Sequence, residues 1–184
     1  MADAAGAPDG GAHLVLLGLP GAGKSTVGPL VAQALGRRYV DLDAEIERRA
    51  GRSVAAIFAA DGEAAFRAQE RAVTAELLTA GSDPLVLSPG GGWVEDPANR
   101  ALLGVRAFAV YLRVSPAVAL QRMGGAVADR PLLAGADPAA ALSRILARRE
   151  PFYLQSQHTV SVDSMPPDAV ASSIVALARG HPRD

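Results

Sequence analysis

The stretch "GLPGAGKST", Gly18 to Thr26, has the residue types and spacing that bind phosphate groups. It satisfies the pattern G-x-x-x-x-G-K-[ST], follows an apolar run and precedes a helix-compatible segment, which is the context that the motif requires. Glycines let backbone N–H groups converge on phosphate oxygens, and the N-terminus of the following helix favours negative charge. The sequence therefore predicts a phosphate-binding loop with contacts from Gly21, Ala22, Gly23, Lys24, Ser25 and Thr26.

Lys24 is the only lysine in a chain whose other basic residues are all arginine. A compact ammonium can curl over the loop and lie between the β- and γ-phosphates of a bound nucleotide, whereas the wider planar guanidinium does not fit the same nest. Ser25 offers a hydroxyl to Mg²⁺ held between the same phosphates. We therefore predict a catalytic role for Lys24 and a metal-binding role for Ser25.

Two carboxylates follow in "DLD", Asp41 and Asp43, at the end of the second predicted strand. Parallel sheets place their ligands at this edge, and strand alternation puts both side chains on one side. Beside a phosphate loop, one carboxylate can hold metal-bound water while the other faces an acceptor hydroxyl. The alternative is a polar strand end followed by a helix cap.

Two further segments can each be interpreted in two ways, one functional and one structural. In "DGEAAFRAQE", Arg67 and Glu70 lie three residues apart on one helical face, which is also the pattern of a solvent-exposed ion pair. In "LSPGGGWV", Gly90, Gly91 and Gly92 end the third strand and let a ligand approach the backbone, but a flexible turn has the same composition.

The elements that position these residues are five short apolar runs separated by helical segments: "HLVLLG", "RYVDLD", "PLVLSP", "VRAFAVYLRV" and "HTVSVDS". Near-continuous apolar strands are typical of a parallel sheet covered on both faces. Ser115, Asp96 and Asp137 each precede a proline and predict helix N-termini. We expect a three-layer α/β domain over residues 13–184, with residues 1–12 as a disordered tail.

The composition, net charge and cysteine content exclude several kinds of protein. Hydrophobic residues make up 49% of 184 residues, the net charge is −1, and cysteine is absent. Disulfides and thiolate metal sites are thereby excluded, and no global field attracts the chain to nucleic acid or acidic lipid. No apolar run reaches membrane-spanning length and no secretory signal is present, so we expect a cytoplasmic protein, and the absence of a long apolar stripe favours a monomer.

Taken together, the motifs resemble the shikimate kinases, small relatives of the nucleoside monophosphate kinases within the P-loop NTPase fold. The resemblance runs from about Leu14 to the last helix. It rests on the order of the phosphate loop, "DLD", "GRSVAAIFAADGEAAFR", "GGG", "RPLL" and "RREPFY".

This resemblance implies ATP-dependent phosphorylation of the 3-hydroxyl of shikimate, a step of aromatic amino acid biosynthesis, with ATP and Mg²⁺ as cofactors. It implies that Asp43 contacts the acceptor hydroxyls and takes the proton, and that Asp41 supports the Mg²⁺ shell. Arg67 and Arg149 would bind the carboxylate of shikimate, since guanidinium forks match carboxylates bidentately. Glycines 90–92 would line the acceptor site.

The resemblance also implies a lid over about residues 123–137, within "MGGAVADRPLLAGADP". Arg130 would reach the nucleotide phosphates from it, and closure would exclude water. Arg122 would stack on adenine, or lie solvated at a helix end. The loop around Met165 lacks the Arg or Gln frequent in relatives, so its adenine contacts would be backbone only. Trp93 replaces a small residue and would either line the pocket or pack in the core.

Two alternatives remain at the sequence level. One is another small-molecule kinase of the same fold, acting on gluconate or a nucleotide. The other is a non-catalytic nucleotide-binding module, which would have lost Asp43, Arg67 or Arg130, yet all three are present.

Overall fold

A five-stranded parallel sheet forms the centre of the molecule. The computed structural model describes residues 12–79, 83–127, 133 and 137–180. Within that part, the strand order is β2-β3-β1-β4-β5 and every pairing is parallel. The strands are β1 (His13–Leu17), β2 (Arg38–Asp41), β3 (Leu85–Ser88), β4 (Ala107–Arg113) and β5 (His158–Ser161).

Helices connect and cover the strands. The α-helices of the described residues are α1 (Lys24–Leu35), α2 (Leu42–Ala50), α3 (Val54–Leu77), α4 (Pro97–Arg100), α5 (Pro116–Met123), α6 (Pro138–Tyr153) and α7 (Pro167–Gly180), and two 3₁₀ helices span Trp93–Glu95 and Gly124–Val127. Helix α1 packs against α7. Because parallel crossovers are right-handed, α1 lies on one face of the sheet and the β2–β3, β3–β4 and β4–β5 connections lie on the other. The predicted three-layer arrangement is confirmed.

The core lies along β1, β3 and β4. All five residues of β1 and all four of β3 are buried, as are the first six of β4. Leu14 pairs in register with Val86 on one side and Phe108 on the other. Strands that are covered on both faces have no polar side to present, which explains why these runs are almost continuously apolar.

Helix N-termini begin where the sequence predicted them. The side chains of Asp96, Ser115 and Asp137 accept hydrogen bonds from the amides of Ala98, Val118 and Ala140, and a proline occupies the first turn after each. Such caps satisfy amides that have no partner inside the helix. The caps therefore fix where α4, α5 and α6 start.

Helix α3 is interrupted at Gly62, whose φ of 81° and ψ of 169° are not helical. The second segment of α3 carries Arg67 and Glu70 toward the sheet edge. Within the described ranges no helix is long and apolar enough to cross a bilayer. The predicted N-terminal tail, apart from residue 12, and most of the predicted lid, including Arg130, lie outside the described residues.

Candidate active site

A cavity of about 610 Å³ opens at the carboxyl ends of the strands. Its walls come from the β1–α1 loop, the β2–α2 junction, the glycine segment after β3, the end of α5 and the β5–α7 loop. This is the edge at which open parallel sheets place their ligands. Most of the residues predicted from sequence to do chemistry therefore surround one cleft.

The predicted phosphate loop lies between β1 and α1, and all of its residues from Gly21 to Thr26 line the cavity. Gly21 has a φ of 80°, and a Cβ there would lie 2.5 Å from the carbonyl oxygen of Ala119. Gly23, with a φ of 92°, precedes the first turn of α1 and provides no side-chain cap. No side chain of the N-cap residue therefore competes for the first amides of α1, which is the condition for binding an anion at a helix N-terminus.

Lys24 folds back over this loop. Its Nζ donates hydrogen bonds to the carbonyl oxygens of Gly18, at 2.8 Å, and Leu19, at 3.1 Å. The ammonium is therefore held above the loop on the side of the cavity, where its charge lies close to any phosphate bound by the amides.

Asp41 and Asp43 both line the cavity, but the reason predicted from strand alternation was wrong. Strand β2 ends at Asp41, whose Oδ1 caps α2 by accepting from the amide of Ala44 at 3.2 Å. Asp43 lies in the first turn of α2. The chain turns into a helix at Leu42, and this turn brings the second carboxylate to the cleft. The helix-cap alternative is thus correct for Asp41, and it is compatible with a place at the site.

The carboxylate of Asp43 is buried and incompletely paired. Its Oδ1 has no hydrogen-bond partner among the described residues. Burial, and then the neighbouring charge of Asp41, raise the pKa of Asp43 above its ordinary value, although Lys24 and Arg67 act in the opposite direction. A carboxylate of this kind is well suited to accept a hydrogen bond, and then a proton, from a ligand hydroxyl.

Three predicted acceptor-site groups meet at glycines 90–92. A Cβ on Gly90 would lie 3.1 Å from both carboxylate oxygens of Asp43. One on Gly91 would lie 3.0 Å from Nη1 of Arg149, and one on Gly92 would lie 2.5 Å from Nη2 of Arg67. The segment is therefore a surface without side chains against which two guanidinium groups and a carboxylate pack.

Arg67 reaches this surface from α3 and is not the solvent-exposed ion pair of the alternative interpretation. Its Nη1 donates to Oε2 of Glu70 at 2.8 Å, and Nη2 to Oε1 of Glu63 at 3.2 Å. The side chain of Glu70 is only 1% exposed. Burial raises the pKa of Glu70 to about 6, although Arg67 opposes the shift.

Arg149 reaches the same surface from α6 and is 2% exposed. Its Nε donates to Oε1 of Glu95 at 2.6 Å, and the hydroxyl of Tyr153 donates to the carbonyl of Gly91 at 2.9 Å. Sequence reasoning assigned no role to Glu95 or Tyr153. Tyr153 stands in "RREPFY", one turn after Arg149, so helical spacing could have identified it. Nothing local marks Glu95, because its partners come from a distant helix.

Trp93 packs in the core, and does not line the cavity. It is fully buried, and its Nε1 donates to Oγ1 of Thr74 on α3 at 2.9 Å. Of the two alternatives for this residue, the core interpretation is correct.

The far end of the cavity is formed by Arg122 and the loop around Met165. Nη2 of Arg122 donates to the carbonyls of Val162, at 2.5 Å, and Asp163, at 3.3 Å. Arg122 is thus attached to this loop, with its guanidinium at the cavity wall. Val162, Met165 and Val170 give this end an apolar character suited to a flat ring.

The oxygen donors in the cavity suit a Mg²⁺ ion that is bound together with nucleotide phosphates, and they do not suit a metal ion held by protein side chains alone. Ser25 and Asp41 both line the cavity beside the phosphate loop. Within the described ranges, no three His, Cys, Asp or Glu residues cluster to hold a metal. Mg²⁺ is usually bound by one or two protein oxygens together with phosphates and water, so the donor set fits this ion when a nucleotide supplies the phosphates.

Comparisons with known proteins agree with this geometry. A family model described as shikimate kinase matches residues 20–179. The shikimate kinase of Nitrobacter winogradskyi is 44% identical over 167 residues, covering 91% of this chain and 77% of its own length. That of Thermobifida fusca is 50% identical over 151 residues, covering 82% of this chain and 84% of its own.

Solved structures give the same result. The shikimate kinase from Acinetobacter baumannii in complex with shikimate superposes with a TM-score of 0.84 and 36% identity, covering 91% of this chain and 92% of its own. A gluconokinase from Sinorhizobium meliloti gives a TM-score of 0.58 at 20% identity over 92% of this chain and 95% of its own, and shares the fold alone. The predicted nucleoside monophosphate kinase-like α/β fold is confirmed, and the chain belongs to the shikimate kinase family.

Proposed function

We propose that this chain transfers the γ-phosphoryl group of ATP to the 3-hydroxyl of shikimate, giving ADP and shikimate 3-phosphate. One observation carries the proposal: Asp43, Arg67 and Arg149 lie against three consecutive glycines, of which Gly90 and Gly91 line the cavity that also holds the phosphate loop. Family membership supports the same substrate pair.

The acceptor end is built for a small acid with hydroxyl groups. Arg67 and Arg149 present two guanidinium groups at the glycine segment, and a carboxylate there would receive charge-assisted hydrogen bonds from both. Since the glycines carry no side chains, the two guanidinium groups and the Asp43 carboxylate come close to one another beside the backbone. These contacts orient the acceptor with its hydroxyls toward Asp43.

Asp43 is the group that receives the proton of the attacking hydroxyl. Its buried Oδ1 has no partner among the described residues, and its raised pKa makes it a stronger base than an exposed aspartate. Proton removal contributes less to phosphoryl transfer than positioning and charge stabilisation do, so holding the hydroxyl in line with the γ-phosphate is the larger part of this role.

The residues around the phosphate loop neutralise the negative charge of the ATP phosphates. Backbone amides of the loop bind the phosphates, and the Lys24 ammonium lies between the β- and γ-groups. Ser25 and Asp41, which both line the cavity, would hold Mg²⁺, and the ion would supply positive charge to offset that of the phosphates. Arg122 and the Met165 loop would contact adenine, and Arg130, in the predicted lid, would add a further positive charge over the phosphates.

The substrate of this enzyme is a small molecule, and we propose that it acts as a cytoplasmic monomer without nucleic-acid or membrane partners. The net charge of −1 supports the absence of a nucleic-acid partner, because phosphate backbones are bound by strongly basic surfaces.

The test is a coupled ADP-release assay in which shikimate, quinate, gluconate and CMP are offered separately. We expect turnover with shikimate to exceed turnover with each of the others by at least about 100-fold, since a site built for specific polar groups rejects analogues that leave them unpaired. Preference for gluconate or CMP would contradict the proposal.

The role of Asp43 is tested by Asp43→Asn. This variant keeps the size of the side chain and removes its basicity, so kcat should fall by about 100-fold or more. Asp168→Asn, an exposed aspartate in the first turn of α7, is the matched control and should retain full activity. Equal activity of both variants would show that Asp43 takes no part.

A further inference from the structure

Glu95 binds Arg149, one of the two arginines that reach the glycine segment. It ends the 3₁₀ helix that follows glycines 90–92. Its Oε1 accepts from Nε of Arg149 at 2.6 Å, while Arg148 forms an ion pair with Oε2 at 3.0 Å. A carboxylate that comes directly after the glycine segment thus holds the helix that carries Arg149.

The contact constrains how the guanidinium is turned. The group is planar and its donors form a rigid fork, so fixing Nε fixes the direction of Nη1 and Nη2. In this arrangement Nη1 lies beside Gly91, 3.0 Å from the position that a Cβ would take there. The bond to Glu95 therefore sets which edge of Arg149 faces the glycines.

Glu95 is itself firmly held. Nη1 of Arg100 donates to the carbonyl of Val94 at 2.7 Å and to that of Glu95 at 2.9 Å, and the same guanidinium lies 4.3 Å from the ring centroid of Phe152 on α6. Trp93 is hydrogen-bonded to α3 at the other end of this short helix. The backbone that carries the Glu95 side chain is accordingly held at both ends of this short helix.

We infer that Glu95 is a positioning residue, which turns Arg149 toward the glycine segment so that it can bind the carboxylate of the acceptor. This inference rests on the proposed function, because Arg149 must bind that carboxylate for its orientation to matter. Glu95 does not contact the acceptor and acts only through Arg149.

The charge of Glu95 supports this role. Burial alone would raise the pKa of Glu95, but the hydrogen bond from Arg149 and the charges of Arg149 and Arg148 lower it overall. Glu95 is thus ionised at neutral pH and offsets the charge of Arg149, which is only 2% exposed even without an acceptor.

Two variants separate the contributions of Glu95. Glu95→Ala removes the hydrogen-bond acceptor, whereas Glu95→Gln keeps an acceptor oxygen and removes the charge. Glu150→Gln is the matched control, because Glu150 is adjacent to Arg149 on α6 but pairs with Arg113 at 3.3 Å, away from the glycines. Thermal unfolding of each variant verifies that it is folded.

The measurements are the Kd for shikimate without nucleotide, by calorimetry and by fluorescence of the single tryptophan, Trp93, together with steady-state kinetics. Loss of a hydrogen bond to a charged group should raise Kd and KM for shikimate by about 10-fold or more in Glu95→Ala, and by less in Glu95→Gln. The carboxylate is remote from the reacting hydroxyl, so kcat and KM for ATP should change by less than about threefold. A purely structural defect would not be confined to shikimate affinity.

A double-mutant cycle with Arg149→Ala tests whether Glu95 affects shikimate affinity through Arg149. If Glu95 acts through Arg149, then Glu95→Ala has no further effect on shikimate affinity once Arg149 is absent. Additive losses, or a Glu95→Ala protein that is folded and binds shikimate as tightly as the parent, would overturn the inference. Failure of the parent itself to bind shikimate would instead refute the proposed function, so the two failures are distinguishable.

Discussion

Arg67 and Arg149 reach neighbouring glycines from two separate helices, with Nη2 of Arg67 against Gly92 and Nη1 of Arg149 against Gly91. A Cβ on Gly92 would lie 2.5 Å from Arg67 and displace it, whereas one on Gly91 would lie 3.0 Å from Arg149, which would have to shift slightly. The absence of side chains from the glycine segment therefore shapes the proposed acceptor site, and a single added methyl group should disturb one guanidinium at a time.

Gly92→Ala should weaken shikimate binding by displacing Arg67. Gly92 has a φ of −82° and a ψ of −13°, which alanine adopts readily. The new Cβ would lie 2.5 Å from Nη2 of Arg67, at the end of a flexible side chain, so the guanidinium moves and the backbone does not. We expect KM for shikimate to rise by about 10-fold and the free energy of unfolding to fall as well, because displacement of Arg67 weakens its pair with the buried Glu70.

Gly180→Ala is the control for Gly92→Ala, since a Cβ there meets no atom within 4 Å. Steady-state kinetics with shikimate as the varied substrate and denaturant unfolding check both variants. An unaltered KM in Gly92→Ala would show that the position of Arg67 against the glycines has no part in acceptor binding.

Lys24→Arg should be nearly as damaging to turnover as Lys24→Ala. The Nζ of Lys24 is curled back to within 2.8 Å and 3.1 Å of two loop carbonyls, a space that suits a compact ammonium. A planar guanidinium on a longer stem cannot take the same place between two phosphates. We expect kcat to fall by about 100-fold or more in both variants. Arg144→Lys, on the exposed side of α6, controls for the exchange of one basic residue for another; near-parental activity in Lys24→Arg would contradict the geometric argument.

The sequence predicted the fold wherever its signals were local. Apolar runs located all five strands, and Ser115, Asp96 and Asp137 located three helix starts, because capping depends on residues only two or three positions apart. The place of Asp43 was predicted for the wrong reason. Period-2 alternation applies only while the chain remains a strand, and β2 ends two residues earlier.

The contacts that sequence reasoning missed are tertiary. Glu95 and Arg149 are far apart in the chain, and only the packing of α6 on the segment after β3 brings them together. Trp93 could not be assigned to pocket or core, because a residue that follows three glycines can turn either way. Its hydrogen bond to Thr74 on α3 shows the direction it takes.

Arg130→Ala should lower kcat far more than it weakens shikimate binding. Arg130 lies outside the described residues, and its predicted role is to reach the nucleotide phosphates from the lid. Without the Arg130 guanidinium, the negative charge on the phosphoryl group in the transition state is less well stabilised. This loss should lower the rate by about 100-fold or more. Single-turnover kinetics together with a shikimate Kd measured by calorimetry separate the two effects, and a loss confined to shikimate affinity would contradict a role at the phosphates.

The stability of Glu70→Gln relative to that of the parent should increase as the pH rises. Burial, with smaller contributions from Asp43 and Asp96, raises the pKa of Glu70 to about 6 from an ordinary 4.5, although Arg67 opposes the shift. Between these two pH values the folded protein holds a proton that the unfolded chain has released. Stability from this group is therefore full below about pH 4.5 and is lost as the pH rises through about 6.

Glutamine cannot ionise, so the variant's free energy of unfolding lacks this pH dependence. The difference in free energy of unfolding between Glu70→Gln and the parent should therefore shift by about 2 kcal/mol in favour of the variant between about pH 4 and pH 8. Urea unfolding followed by Trp93 fluorescence at several pH values measures the difference. Glu63→Gln is the control, because Glu63 binds the same arginine but is 68% exposed, and exposed ion pairs contribute little to stability. If the stability of Glu70→Gln followed that of the parent at every pH, the ionisation of Glu70 would cost the fold nothing, and its carboxylate would be fully compensated by Arg67.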